Sequence, residues 1–152
     1  MANAETTVEA VEVEVWIAAS PETVFDFFTD PGLMVQWMGR AVETDPQPGG
    51  GFRLEIRDDT VASGEYVAVE PPERVVFTWG WNSEDSVTKA GSSTVEVLLA
   101  SERDGTHVRL IHTGLASAES ATKHGHGWRH YLDRLATAAA GGDAGPDEFA
   151  EA

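Results

Sequence analysis

The feature that most constrains this chain is a change in hydrophobic period. Through most of its length apolar residues recur at every second position, the spacing of half-buried strands, but towards the end they recur at helical spacing. The helical stretch runs from about Ser117 to Ala140. With Trp128 as origin and about 100° per residue, Ala121, Tyr131, Leu132, Leu135 and Ala139 fall within about 60° of it. Lys123, His126, His130 and Asp133 fall on the opposite side. A helix of this kind has one apolar stripe to bury, and the alternating segments before it supply the surface to bury it against.

Those segments follow in a definite order. Val11, Val13, Val15 and Ile17 alternate with Glu12, Glu14 and Trp16, which predicts a first strand. Ser20-Pro21-Glu22 supplies a helix N-cap, a proline at the first helical position and an acid in the first turn. Val24, Phe25, Phe27 and Phe28 then give an apolar helical face ending near Asp30. Asp30-Pro31 restarts a short helix through Leu33, Met34, Trp37 and Met38, which Gly39 stops. Gly49-Gly50-Gly51 reads as a flexible entry to a strand in which Phe52, Leu54 and Ile56 alternate with Arg53, Glu55 and Arg57. Asp58-Asp59 is a hairpin signal leading into Val61 to Val69, and Pro71-Pro72-Glu73 breaks that strand. Val75, Phe77, Trp79 and Trp81 make the next alternating face, and residues 82–92 a polar loop. Val95, Val97 and Leu99, a turn at Asp104-Gly105, and Val108, Leu110 and His112 complete the series. Hairpin-length links favour antiparallel pairing, so a strand, two short helices, five strands and a long helix predict an α+β fold.

Length and charge narrow the function classes. The 152 residues make one domain, at 11–140, between a short polar N-terminus at 1–10 and an acidic, disordered tail at 141–152. Ten basic against twenty-six acidic residues give a net charge of −16, which argues against nucleic acid and against anionic lipid. The sequence has no stretch of ~20 apolar residues that would span a bilayer. Cysteine is absent, which removes disulfides, thiolate metal sites and cysteine nucleophiles. The first residues carry Glu5 and Glu9 and no base, unlike a secretory signal, so the expected compartment is the cytoplasm.

The candidate site residues are those on faces predicted to point inward: Trp37, Phe52, Leu54, Phe77, Trp79, Trp81, His112, His124, Trp128 and Tyr131. Their aromatic side chains suit the lining of a small-molecule pocket and equally the filling of a core. His112 shares its strand phase with Val108 and Leu110, and His124 lies about 40° from Trp128 on the helix. A neutral imidazole there can orient a ligand, act as acid or base, or be satisfied by the protein itself. His126 and His130 have zinc-chelating spacing but lie opposite the apolar stripe, so no metal or cofactor is expected. No Gly-x-Ser-x-Gly elbow, triad or phosphate loop can be placed, and Arg40, Arg53 and Arg57 read as isolated, so no catalytic residue is assigned.

Several motifs in this order resemble the START-like superfamily, also called SRPBCC, helix-grip or birch-pollen-allergen-like. They are Ser20-Pro21-Glu22-Thr23-Val24-Phe25, Trp37-Met38-Gly39, Gly49-Gly50-Gly51-Phe52 and Gly64-Glu65-Tyr66, followed by Pro71 to Trp79, Gly105-Thr106, His112-Thr113-Gly114-Leu115 and His124-Gly125-His126-Gly127-Trp128. The chain is most similar to the branch named after the activator of the ninety-kilodalton heat-shock chaperone's ATPase. The resemblance implies a curved antiparallel sheet of about six or seven strands around the C-terminal helix, with an apolar cavity between them. It implies binding of a small hydrophobic molecule such as a lipid or polyketide, by a monomer or weak homodimer. The alternatives it carries are a co-chaperone with a heat-shock chaperone as partner, and a polyketide cyclase or self-sacrificing enediyne-resistance protein.

Overall fold

The computed structural model describes residues 9–57, 60–82, 89, 91–115 and 117–145. Seven strands form one sheet in the order β1-β7-β6-β5-β4-β3-β2, with every neighbouring pair antiparallel. They are β1 (Glu9–Ile17), β2 (Ala41–Thr44), β3 (Gly51–Arg57), β4 (Thr60–Glu70), β5 (Arg74–Trp79), β6 (Ser93–Glu102) and β7 (Gly105–Leu115). Two short helices, α1 (Pro21–Asp26) and α2 (Pro31–Met34), follow β1, and α3 (Ala118–Ala139) closes the fold. This is the α+β helix-grip architecture: a curved sheet around a long C-terminal helix. Register shifts between Glu55 and Arg57 and between Tyr66 and Ala68 help it bend. Among the described residues no helix is long and apolar enough to cross a membrane.

Local chemistry explains the element boundaries. Ser20 caps α1 by accepting from the Thr23 N–H, and Asp30 caps α2 by accepting from Gly32. Both helices are shorter than the apolar pattern predicts. After Asp26 the backbone turns to the tighter i to i+3 bonds Phe27 to Val24 and Phe28 to Phe25. That tightening still buries Val24, Phe25, Phe27 and Phe28, so the apolar face is kept while the helix is lost. Gly39, at φ 73°, ends the second segment.

β2 is absent from the sequence reading. Its four residues Ala-Val-Glu-Thr carry a single inward apolar side chain, too few to reveal a period of two. Its pairing corrects another expectation, because Arg40, Arg53 and Arg57 are not isolated. Placing Ala41 opposite Glu55 brings the Arg40 guanidinium to 2.9 Å from the Glu55 carboxylate, with Arg53 at 3.6 Å from it. Arg57 donates to Thr60 Oγ1. The triple glycine is likewise a shaped turn and not a flexible entry. Gly49 takes φ 88°, and a side chain on buried Gly50 would collide with the Asp45 backbone.

The β6–β7 hairpin turns at Arg103-Asp104, both at positive φ, with Gly105 already opposite Glu102 in the ladder. The predicted Asp58-Asp59 turn lies outside the described residues, as does most of the predicted 82–92 loop. α3 packs on β1 and β7, burying Trp128, Tyr131, Leu132, Leu135, Ala138 and Ala139. Residues 142–145 fold back on this helix. Arg134 donates to the carbonyls of Trp37, Ala144 and Gly145, tying the helix end to the α2 segment.

Candidate functional site

Three strand positions and two helix positions converge between the sheet and the first half of α3. β5 supplies Trp79 and its extension Trp81, β7 supplies His112, and α3 supplies His124 and Trp128. Trp81 is held in line by an isolated bridge to Ala62. The rings touch in sequence: Trp79 and Trp128 have centroids 5.1 Å apart, Trp79 and Trp81 5.5 Å, and His112 and His124 5.0 Å. Phe52 and Phe77 extend the cluster, each within 6.3 Å of Trp79 and 5.3 Å from one another. The edge-to-face angles are those that aromatic quadrupoles favour.

The polar atoms of the cluster form two short chains. Trp128 Nε1 donates to His112 Nδ1 at 2.9 Å, so the neutral ring carries its proton on Nε2. That Nε2–H donates to Ser93 Oγ at 2.7 Å, and Ser93 Oγ–H donates to the Trp79 carbonyl at 2.7 Å. In the second chain Trp81 Nε1 donates to His124 Nε2 at 3.0 Å, and His124 Nδ1–H donates to the Ser120 carbonyl at 2.8 Å. Both histidines therefore have both ring nitrogens engaged. Burial pushes the His112 imidazole down to about 3, with the neighbouring His124 adding to the effect. Burial also lowers His124, against the opposing hydrogen bond to Ser120. Neither ring is poised to exchange a proton near neutral pH.

The other candidates are buried elsewhere. Trp37 is fully buried, donates to the Phe27 carbonyl at 2.9 Å, and packs edge-on against Phe28. Leu54 is fully buried beside Gly39, and Tyr131 stacks edge-on with His130 at 4.8 Å. His126 is exposed, and the described residues contain no group of three His, Cys, Asp or Glu able to hold a metal ion. Ser93, Ser120 and Tyr66 are not among the candidate site residues read from sequence. Ser93 has the inward phase of Val95 and Val97, and Ser120 stands one helical turn before His124, so spacing could have indicated both. Tyr66 donates to the Phe28 carbonyl at 3.0 Å, and burial raises its hydroxyl far above the usual range. A separate groove of about 460 Å³ lies by Arg40, Arg134 and Asp143, and none of its lining residues belongs to the aromatic cluster.

A sheet wrapped on one long helix, with aromatic side chains converging between them, defines a START-like helix-grip protein. The chain belongs to the family described as Activator of Hsp90 ATPase homolog 1-like protein, which matches residues 18–140. Among solved structures it is similar to the AHSA1-like protein RHE_CH02687 of Rhizobium etli, at 39% identity over 98% of this chain and 92% of that one, with a TM-score of 0.71. CalU16 from Micromonospora echinospora is 27% identical over 87% of this chain and 76% of its own, with a TM-score of 0.70. DynU16, a protein of the dynemicin biosynthetic locus, shares the fold at 22% identity and a TM-score of 0.76. The alignment covers 90% of this chain and about half (49%) of DynU16. No curated protein was found to match the chain.

Proposed function

We propose that this protein binds a small hydrophobic molecule between the sheet and α3, against the Trp79, Trp81 and Trp128 cluster. The observation that carries the proposal is the concentration there of three of the five tryptophans, on elements that meet against the first half of the closing helix. A guest laid against these rings gains about 25 cal/mol for each Å² of apolar surface removed from water. The engagement of both nitrogens on His112 and on His124 supports binding over acid–base chemistry, since neither ring offers a free base. The biosynthetic setting of DynU16 makes a natural product of the polyketide kind a reasonable guest class. A cytoplasmic monomer or weak homodimer is the form proposed to bind it.

The test is a thermal-shift screen against a library of hydrophobic natural products, followed by titration of any hit. A guest at a hundredfold excess over its Kd stabilises the native state by about 2.7 kcal/mol, a readily measured rise in Tm. Failure of every library member to raise Tm would refute the proposal. The family description favours one second function, the stimulation of a heat-shock chaperone's ATPase. In that case the purified protein raises the chaperone's ATP turnover, and an unchanged rate removes this function.

A further inference from the structure

Four of the five indole N–H groups have acceptors. Trp16 donates to the Glu102 carbonyl at 2.7 Å, Trp37 to Phe27, Trp81 to His124 and Trp128 to His112. The fifth does not: Trp79 Nε1 is buried without a partner among the described residues, on a residue only 4% exposed. Buried donors are nearly always satisfied, because an unmade bond costs the full desolvation of the group. The neighbouring acceptors are already committed. His112 Nδ1 takes the Trp128 proton and His124 Nε2 takes that of Trp81, while Ser93 Oγ accepts from His112 and gives its own proton to the Trp79 carbonyl.

We infer that the hydrophobic guest carries a neutral carbonyl oxygen, as in a ketone, quinone or ester, and that Trp79 Nε1 donates to it. The inference rests on the binding proposed above and adds the chemical class of the guest. A hydrocarbon leaves the Trp79 donor unmet. An alcohol can accept from Trp79 but brings a proton of its own, for which the imidazole nitrogens are occupied and only the remaining lone pair of Ser93 Oγ is left within the cluster's side chains. A carboxylate needs a cation, whereas both imidazoles here stay neutral and Lys89, whose backbone bridges to Trp81, is exposed. A carbonyl accepts the Trp79 hydrogen bond and brings no donor or charge.

Four compounds on one ring system separate these cases: acetylnaphthalene, ethylnaphthalene, naphthylethanol and naphthoate. Their affinities are measured by tryptophan-quenching titration and by following the indole N–H resonances in nitrogen-edited NMR spectra. The ketone is expected to bind the native protein about three- to tenfold more tightly than the hydrocarbon, the worth of one neutral hydrogen bond. The alcohol should fall between them and the acid last. The Trp79→Phe variant should bind ketone and hydrocarbon alike. In the unaltered protein one indole resonance should move downfield with the ketone and stay in place with the hydrocarbon, a readout that survives if the variant does not fold. Equal affinities for the native protein, a ketone preference that persists in Trp79→Phe, or no such resonance overturns the inference and leaves hydrophobic binding intact. Binding by none of the four, together with failure of the library screen, removes both.

Discussion

His112 and His124 stand in the interior with every ring nitrogen hydrogen-bonded, and burial lowers both. In the unfolded chain these imidazoles bind protons below their ordinary value of 6.5, whereas native His112 stays neutral down to about 3. The stability that His112 contributes is therefore complete above 6.5 and is lost as pH falls from there towards 3, and the lowered His124 acts in the same direction. His112 contributes a slope of up to about 1.4 kcal/mol per pH unit within that window. Urea denaturation across it should show falling stability, and His112→Asn should be less stable at neutral pH but have a shallower slope. The tryptophans allow a second comparison. Trp128→Phe strands the His112 Nδ1 acceptor, whereas Trp79→Phe strands nothing. The first should therefore be the more destabilised by about 1–3 kcal/mol in the same denaturation assay. Strand and helix phase pointed to the inward location of Trp79, His112 and Trp128, since alternation and helical period fix direction. Which atom bonds to which did not follow from them, because hydrogen-bond partners depend on the distance between elements remote in sequence.

α3 crosses the sheet with Gly125 facing the Val11 side chain and Gly127 facing open space. Adding a methyl group at Gly127 removes backbone freedom from the unfolded chain and meets nothing in the folded one. Gly127→Ala should therefore stabilise the protein by about 0.5–1 kcal/mol, seen as a higher denaturation midpoint. Gly50→Ala should do the opposite, because its new Cβ collides with the Asp45 backbone in the turn that joins β2 to β3. Long elements were readable from sequence. β7 and α3 repeat their patterns over 11 and 22 residues, and proline with a capping Ser or Asp marks the starts of α1 and α2. Short elements were not. β2 is held by pairing with β3 and by Thr44 donating to the Thr29 carbonyl, neither of which leaves a periodic trace.

The molecule as a whole carries 26 acidic and 10 basic residues, and several of the bases are already paired across strands, as in Arg109 with Glu12 and Arg74 with Glu96. Adding salt screens these pairs, but it also screens the repulsion among the excess carboxylates, which are more numerous. The Debye length falls from about 30 Å at 0.01 M to about 3 Å at 1 M ionic strength. Stability should rise over that range, a trend to be checked by thermal unfolding in sodium chloride. The tryptophan cluster has a further, optical consequence. Trp79 lies 5.1 Å from Trp128 and 5.5 Å from Trp81, close enough for the chromophores to share their excited states. The native fold should therefore produce an exciton couplet in the far-ultraviolet circular dichroism, whose Trp79–Trp128 part is lost when β5 and α3 separate, and so gives the protein an intrinsic, label-free signal of whether its closing helix is seated.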